Sequence, residues 1–151
     1  MKKCMTPSLF PDVNVWLALT HERHVHHRPS ARWYQSLSAE TLYFCRFTQI
    51  GLLRMLTSAA VMAEEVMGQR QAWRAYRRWF DDSRISFQAE PDSADFERWF
   101  EKFSEAPAPS TKVWADLYLG AFARTCGFTV VTFDKAFLKS KDVKTQLLAS
   151  D

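Results

Sequence analysis

Ser8-Leu9-Phe10-Pro11-Asp12-Val13-Asn14-Val15-Trp16-Leu17-Ala18-Leu19 is the stretch on which the fold turns. A short apolar run ends at a proline, breaks on a carboxylate, and resumes with apolar residues that suit a helix. The pattern predicts a strand over Ser8-Leu9-Phe10 and a helix from Asn14 to Leu19. A carboxylate between two hydrophobic elements is costly to bury unless something pairs with it. Two more aspartates stand at similar punctuation. Asp116 opens the apolar helix Trp114-Ala115-Asp116-Leu117-Tyr118-Leu119-Gly120-Ala121-Phe122-Ala123, and Asp134 ends the strand Phe128-Thr129-Val130-Val131-Thr132-Phe133-Asp134. Brought together, three such carboxylates repel one another unless a cation sits between them. A hard divalent metal held by oxygen ligands is the economical partner, and carboxylates with Mg²⁺ or Mn²⁺ point to phosphoryl chemistry.

Outward from these points, short β-rich runs alternate with helical stretches, the pattern of a parallel sheet covered on both faces. Pro29 suits the first turn of a helix running through Trp33 to Leu37. Thr41 to Cys45 reads as a strand, after which Thr48 caps a helix from Gln49 to Leu56. Glu64 to Phe80 reads as one amphipathic helix with Val66, Trp73, Tyr76 and Phe80 facing inward. Arg84 to Ala89 is a third strand, and Pro91-Asp92 opens a helix through Phe96 to Phe103. Glu105-Ala106-Pro107-Ala108-Pro109-Ser110 is a stiff loop, too short to separate domains. Thr111 to Thr125 is a long helix stopped by Gly127. Phe128 to Thr132 is the fourth strand, and Thr145 to Ala149 adds an edge strand. If the first and fourth strands are neighbours, Asp12, Asp116 and Asp134 converge at the carboxyl end of the sheet, where open α/β folds gather ligands.

The 151 residues suit one domain, 1–151, and 47% hydrophobic with 15% aromatic content supports a packed core rather than disorder. No apolar run approaches the ~20 residues that cross a membrane. The basic start Met1-Lys2-Lys3-Cys4-Met5 lacks the apolar core of a signal peptide, so a cytoplasmic protein is expected, with Met1 or Met5 as its start. A net charge of +3 leaves affinity for nucleic acid to local patches. Cys4, Cys45 and Cys126 are odd in number and widely spaced, which excludes a disulfide framework and a thiolate zinc motif.

Four stretches resemble, in order, the motifs of the PIN-domain ribonucleases, and among them the VapC-type toxins of type II toxin–antitoxin pairs. Leu9 to Leu19 is similar to the first motif, an Asp followed two residues later by Asn. Phe47-Thr48-Gln49-Ile50-Gly51-Leu52-Leu53-Arg54 resembles the second, Trp114 to Ala123 the third, and Val131-Thr132-Phe133-Asp134-Lys135-Ala136-Phe137 the fourth. His27-Arg28-Pro29-Ser30-Ala31-Arg32-Trp33 is similar to the helix after the family's first loop. The resemblance implies a three-layer α/β/α fold with a central, mainly parallel sheet of four to five strands. It implies an Mg²⁺- or Mn²⁺-dependent endoribonuclease with Asp12, Asp116 and Asp134 as metal ligands and Gln49 beside them. Asn14 and Thr132 would orient carboxylates, and Arg54 would steady the acidic cluster or approach phosphate. Many members carry Glu where this chain has Gln49, so one negative charge is lost. That departure implies weaker metal binding, with a preference for Mn²⁺ or for higher Mg²⁺. The implied substrate is structured RNA, tRNA or rRNA, cut to a 5′-phosphate and a 3′-hydroxyl. The implied partners are a VapB-type antitoxin and a second copy of the chain.

Other readings compete. Any one aspartate alone is an ordinary helix cap or strand-end residue. His21, His24, His26 and His27 invite zinc but lack the i, i+4 spacing of a two-His helical site. They suit a polar loop at the catalytic mouth, where imidazoles could stack on bases. Arg70, Arg74, Arg77 and Arg78 form a basic stripe that is either a solvated face or a phosphate-tracking surface. A non-catalytic PIN module binding RNA or protein is the alternative function. A dehalogenase-type phosphatase needs a second Asp at position 14, which is Asn. A receiver domain needs a phosphoacceptor Asp after a middle strand, and the strand ending near Cys45 offers none.

Overall fold

The computed structural model describes residues 6–105, 108–137 and 139–151. The question of the start, Cys4 and the Ala106-Pro107 part of the stiff loop lie outside the described residues. Five parallel strands form one sheet in the order β3-β2-β1-β4-β5. They are β1 (Ser8–Pro11), β2 (Thr41–Phe44), β3 (Ile85–Phe87), β4 (Thr129–Thr132) and β5 (Lys144–Leu147). The order runs outward from β1 through β2 to β3, then restarts on the other side with β4. The reversal therefore falls between β1 and β4, the pair whose carboxyl ends carry Asp12 and Asp134.

Side chains alternate across the strands, and this divides the core into two layers. Leu9, Leu42, Phe44 and Val131 pack on one face, against α1 (Val13–Thr20), α3 (Arg46–Leu56) and α5 (Gln69–Arg78). Phe10 and Val130 pack on the other, against α6 (Ala94–Phe103) and α7 (Trp114–Cys126). On the first face the fully buried Trp16 stacks on Phe44, with ring centroids 3.8 Å apart. On the second, Phe10 stacks on Phe122 at 5.0 Å. α2 (His27–Ser36) and a one-turn α4 (Ala59–Met62) complete the α1 side. The outer strand β5 is exposed along its length and begins with a lysine, which discourages pairing with another sheet.

Several elements differ from the sequence reading. α3 begins three residues before Gln49: Cys45 is its cap residue, and the Thr48 hydroxyl accepts from the Cys45 N–H at 3.0 Å. The expected helix from Glu64 to Phe80 is broken into a 3₁₀ turn at Ala63–Glu65, an extended link, and α5 flanked by a second 3₁₀ turn. Of its supposed inward face only Tyr76 is buried, while Val66, Trp73 and Phe80 are exposed. Ser93 rather than Pro91-Asp92 caps α6, accepting from the Phe96 N–H at 3.3 Å. α7 starts at Trp114 and stops at Gly127, whose left-handed φ of 72° suits a residue without a Cβ.

One glycine sets the approach of two helices. A Cβ on Gly51 of α3 would meet Val13 Cγ2 at 2.5 Å and Cγ1 at 3.1 Å. Overpacking of this kind costs about 1–3 kcal/mol, and the better helix propensity of Ala returns only ~1 kcal/mol. Gly51→Ala is therefore expected to destabilise the protein in urea unfolding, and Val13→Ala in the same chain to restore most of the loss. Additive losses in the double variant would show that Val13 is not what Gly51 accommodates.

Candidate active site

Asp12 follows β1 directly and caps α1. Its Oδ1 accepts from the Val15 N–H at 3.0 Å, and its backbone N–H donates to the Val131 carbonyl at 3.0 Å. Its Oδ2 accepts from the Thr132 hydroxyl at 2.5 Å, a contact between residues 120 positions apart. The same Thr132 oxygen accepts from the Asp134 N–H at 3.0 Å, and Asp134 Oδ1 accepts from the Ala136 N–H at 2.8 Å. A fully buried threonine thus ties the ends of the two central strands together, with one carboxylate on either side of it. Asp116 sits in the first turn of α7, half-buried, and lines one cavity of about 250 Å³ with Asp12, Asn14, Gly51 and Arg54.

The electrostatics match this crowding. Burial, with smaller contributions from the charges of Asp116 and Asp134, pushes the Asp12 carboxyl up to about 6 against the bonds from Thr132 and Val15. Burial, then the charge of Asp134, likewise raises Asp116. Among the described residues no Lys or Arg forms an ion pair with any of the three. Three carboxylates therefore raise one another's energy with no paired cationic side chain in return.

Carboxylate oxygens are the donors a hard divalent cation takes, so the donor chemistry fits Mg²⁺ or Mn²⁺. The spacing is looser. Among the described residues no three His, Cys, Asp or Glu side chains are grouped closely enough to hold a metal as they stand. Both Asp12 oxygens and one Asp134 oxygen accept hydrogen bonds from the protein, each keeping a further lone pair for a cation.

The remaining expected residues divide. Asn14 is exposed on the cavity wall, and among the described residues it makes no hydrogen bond to the aspartates. Arg54 is exposed on the same wall, one helical face with Phe47, Gly51 and Met55. Gln49 lies on the opposite face of α3, among the buried Thr48, Leu52 and Leu56. Its Oε1 accepts from Arg46 at 2.5 Å, and its side chain does not line the cavity that Asp12 and Asp116 share. Gln49→Ala is accordingly expected to cost about 1–2 kcal/mol of stability. The divalent-ion concentration for half-maximal activity should stay unchanged, and a marked rise in it would return Gln49 to the site.

The histidines form no metal cluster among the described residues. His21 lies 3.4 Å from Glu65, His24 Nδ1 accepts from the His26 N–H at 3.1 Å, and His27 Nδ1 lies 2.8 Å from the Ala18 carbonyl. His26 stacks on Phe133 at 4.6 Å, between the two residues that shape the acidic centre. Two features escaped the sequence reading: Gly51, signalled only by a glycine inside a helix, and a run of lysines after Asp134.

A sequence model of the PIN domain matches residues 9–142. Ribonuclease VapC41 of Mycobacterium tuberculosis is 42% identical over 146 residues, covering 93% of this chain and 99% of that protein. VapBC2 of Rickettsia felis, solved bound to a DNA fragment from its promoter, has a TM-score of 0.64 at 10% identity, covering 93% and 98% of the two chains. Mycobacterium tuberculosis VapC20, a toxin that cleaves the sarcin-ricin loop, has a TM-score of 0.63 at 17% identity, covering 86% and 92%. Among the described residues no helix is long and apolar enough to cross a membrane.

Proposed function

This chain belongs to the PIN-domain family, in its VapC branch, and from that premise we propose that it is a divalent-metal-dependent endoribonuclease acting as the toxin of a toxin–antitoxin pair. The observation that carries the reading is the bond from Thr132 to Asp12, which fixes a buried carboxylate where the strand order reverses, beside Asp116 and Asp134. The ribonuclease name of a relative 42% identical along nearly the whole chain supports it.

Asp12, Asp116 and Asp134 would hold Mg²⁺ or Mn²⁺. When bound, the ion supplies a more acidic water and neutralises charge growing on a phosphate. The protein's own part is positioning. Thr132 fixes the rotation of the Asp12 carboxylate and locks the backbone at Asp134. Arg54, exposed on the wall of the cavity that Asp116 also lines, would meet a phosphate oxygen. His26 and Phe133 offer stacked rings beside the centre, suited to an unpaired base. The substrate in this reading is structured RNA with an accessible loop, tRNA or rRNA. A VapB-type antitoxin and a homodimer complete the assembly, and the mixed-composition chain works in the cytoplasm.

The test is cleavage of purified total tRNA and rRNA by antitoxin-free protein, titrated with Mg²⁺ and Mn²⁺, with new 5′ ends mapped. Discrete, metal-dependent cuts support the nuclease and name its substrate. One observation favours a second reading, a non-catalytic RNA-binding module: the described aspartates are not drawn into a closed cluster. Folded protein that binds RNA and cuts none of it with either ion would decide for that module.

A further inference from the structure

We propose that Lys135, Lys139 and Lys141 form a cleft that tracks the RNA backbone away from the acidic centre. The inference rests on the ribonuclease reading for the identity of the polyanion. Between β4 and β5 the chain opens a cavity of about 420 Å³, lined by Asp134, Lys135, Lys139, Ser140, Lys141 and Thr145 among others. Asp134 lines this cavity, and its charge is among those that raise Asp12, so the cavity opens beside the acidic centre. Lys141 also lines an adjoining hollow of about 300 Å³ with Lys144 and Arg124. Cationic side chains thus line two hollows that adjoin at Lys141, the second of which also holds Asp142.

The lysines are exposed, and none forms an ion pair among the described residues. The nearby Asp142 is engaged instead by Lys102, at 4.0 Å. The base of the loop is anchored, because Phe137 and Val143 are buried in the second core layer. A whole-chain charge of +3 conceals this concentration: Lys135, Lys139, Lys141 and Lys144 stand within ten residues, against Asp134 and Asp142. Ammonium groups act as point charges on phosphates and read no base edge, so the cleft contributes affinity and register rather than sequence choice. An isolated anion would be repelled by Asp134 at the cavity's inner end. A polynucleotide avoids that repulsion by laying flanking phosphates on the lysines.

The experiment measures binding of a fluorescein-labelled single-stranded RNA in EDTA, across a range of salt. The wild type is compared with Lys135→Ala/Lys139→Ala/Lys141→Ala, with the corresponding Arg triple, and with Arg70→Ala/Arg74→Ala/Arg78→Ala as a charge-matched control on α5. The lysine-to-alanine triple is expected to bind about tenfold more weakly and to lower the slope of log affinity against log salt by about 2. The Arg triple should bind as the wild type does, and the α5 control should change little. Unchanged RNA affinity in the lysine triple, or a loss confined to the α5 control, overturns the proposal. So does a lysine triple that loses binding of a poly-glutamate peptide while keeping RNA, which would assign the cleft to an acidic peptide. Because binding is read without metal or cleavage, a protein that binds through these lysines and never cuts sinks only the ribonuclease reading. One that cuts with unchanged KM and kcat after their removal sinks only this inference.

Discussion

Asp12→Asn is expected to lower the rate of RNA cleavage by about 10³-fold, since several kcal/mol of charge stabilisation at the phosphate are lost and each ~1.4 kcal/mol is tenfold. The substitution is close to isosteric. An Asn at a helix N-cap serves nearly as well as an Asp, so the bond from the Val15 N–H to the side-chain oxygen survives. What disappears is the negative charge and the acceptor facing the Thr132 hydroxyl. Asp116→Asn should fall by a similar factor, because it lines the same cavity. The two losses should not multiply: residues acting as one unit fail together, and the double variant should resemble either single one. The measurement is an initial-rate series on the mapped RNA at saturating Mn²⁺. Retention of more than a tenth of wild-type activity in Asp12→Asn would remove the carboxylate from the chemistry.

The frame around these residues was legible because its signals are local. A short apolar run, a carboxylate and an apolar helix in Ser8 to Leu19 need no distant information, and the same holds for Thr129 to Thr132 and for the stop at Gly127. The adjacency of β1 and β4 was conditional in the sequence, and the register Leu9 to Thr129 supplies it. The contact between Thr132 and Asp12 joins two distant segments, so no local pattern announces it. Gln49 illustrates a different gap between motif and placement. A motif fixes a position along the chain but not the face of the helix it occupies. Here Thr48, Leu52 and Leu56 share the buried face with Gln49, while Phe47, Gly51, Arg54 and Met55 face the cavity. The broken Glu64–Phe80 helix failed because amphipathic spacing ignores the backbone turn at Ala63, whose φ is 51°, and the extended link to Gly68. The lysine cleft was hidden by averaging, and its shape depends on Phe137 and Val143 anchoring the loop in a core assembled from elsewhere.

The same Asp12→Asn protein is expected to be more stable than the wild type at neutral pH without divalent ions, and this separates lost activity from lost folding. The folded-state value for Asp12 is pushed from an ordinary 3.8 up to about 6, chiefly by burial. Between those values the unfolded chain has released its proton and the folded protein still holds it. The folded state binds more protons there, so stability falls as pH rises from ~4 to ~6 and levels off above, a total of about 3 kcal/mol at most. Asp116 adds in the same direction, because burial and the charge of Asp134 raise it too. Asp82 works oppositely, held well below the usual carboxylate range by Arg84, and its contribution is lost only as pH falls below ~4. The two windows do not overlap. Asn removes the Asp12 charge penalty but reorganises the bond with Thr132, so a gain of about 1–2 kcal/mol at pH 7 is expected, roughly 2–8 °C in Tm for a chain this size. A divalent ion that binds the folded state alone raises wild-type Tm with concentration, and Asp12→Asn should lose most of that rise. Thermal unfolding of both proteins from pH 4 to pH 8, with and without Mn²⁺, reads every part of this at once. A wild type whose stability is flat from ~4 to ~6, and equal Mn²⁺ stabilisation of both proteins, would place the acidic strain and the ion site away from Asp12.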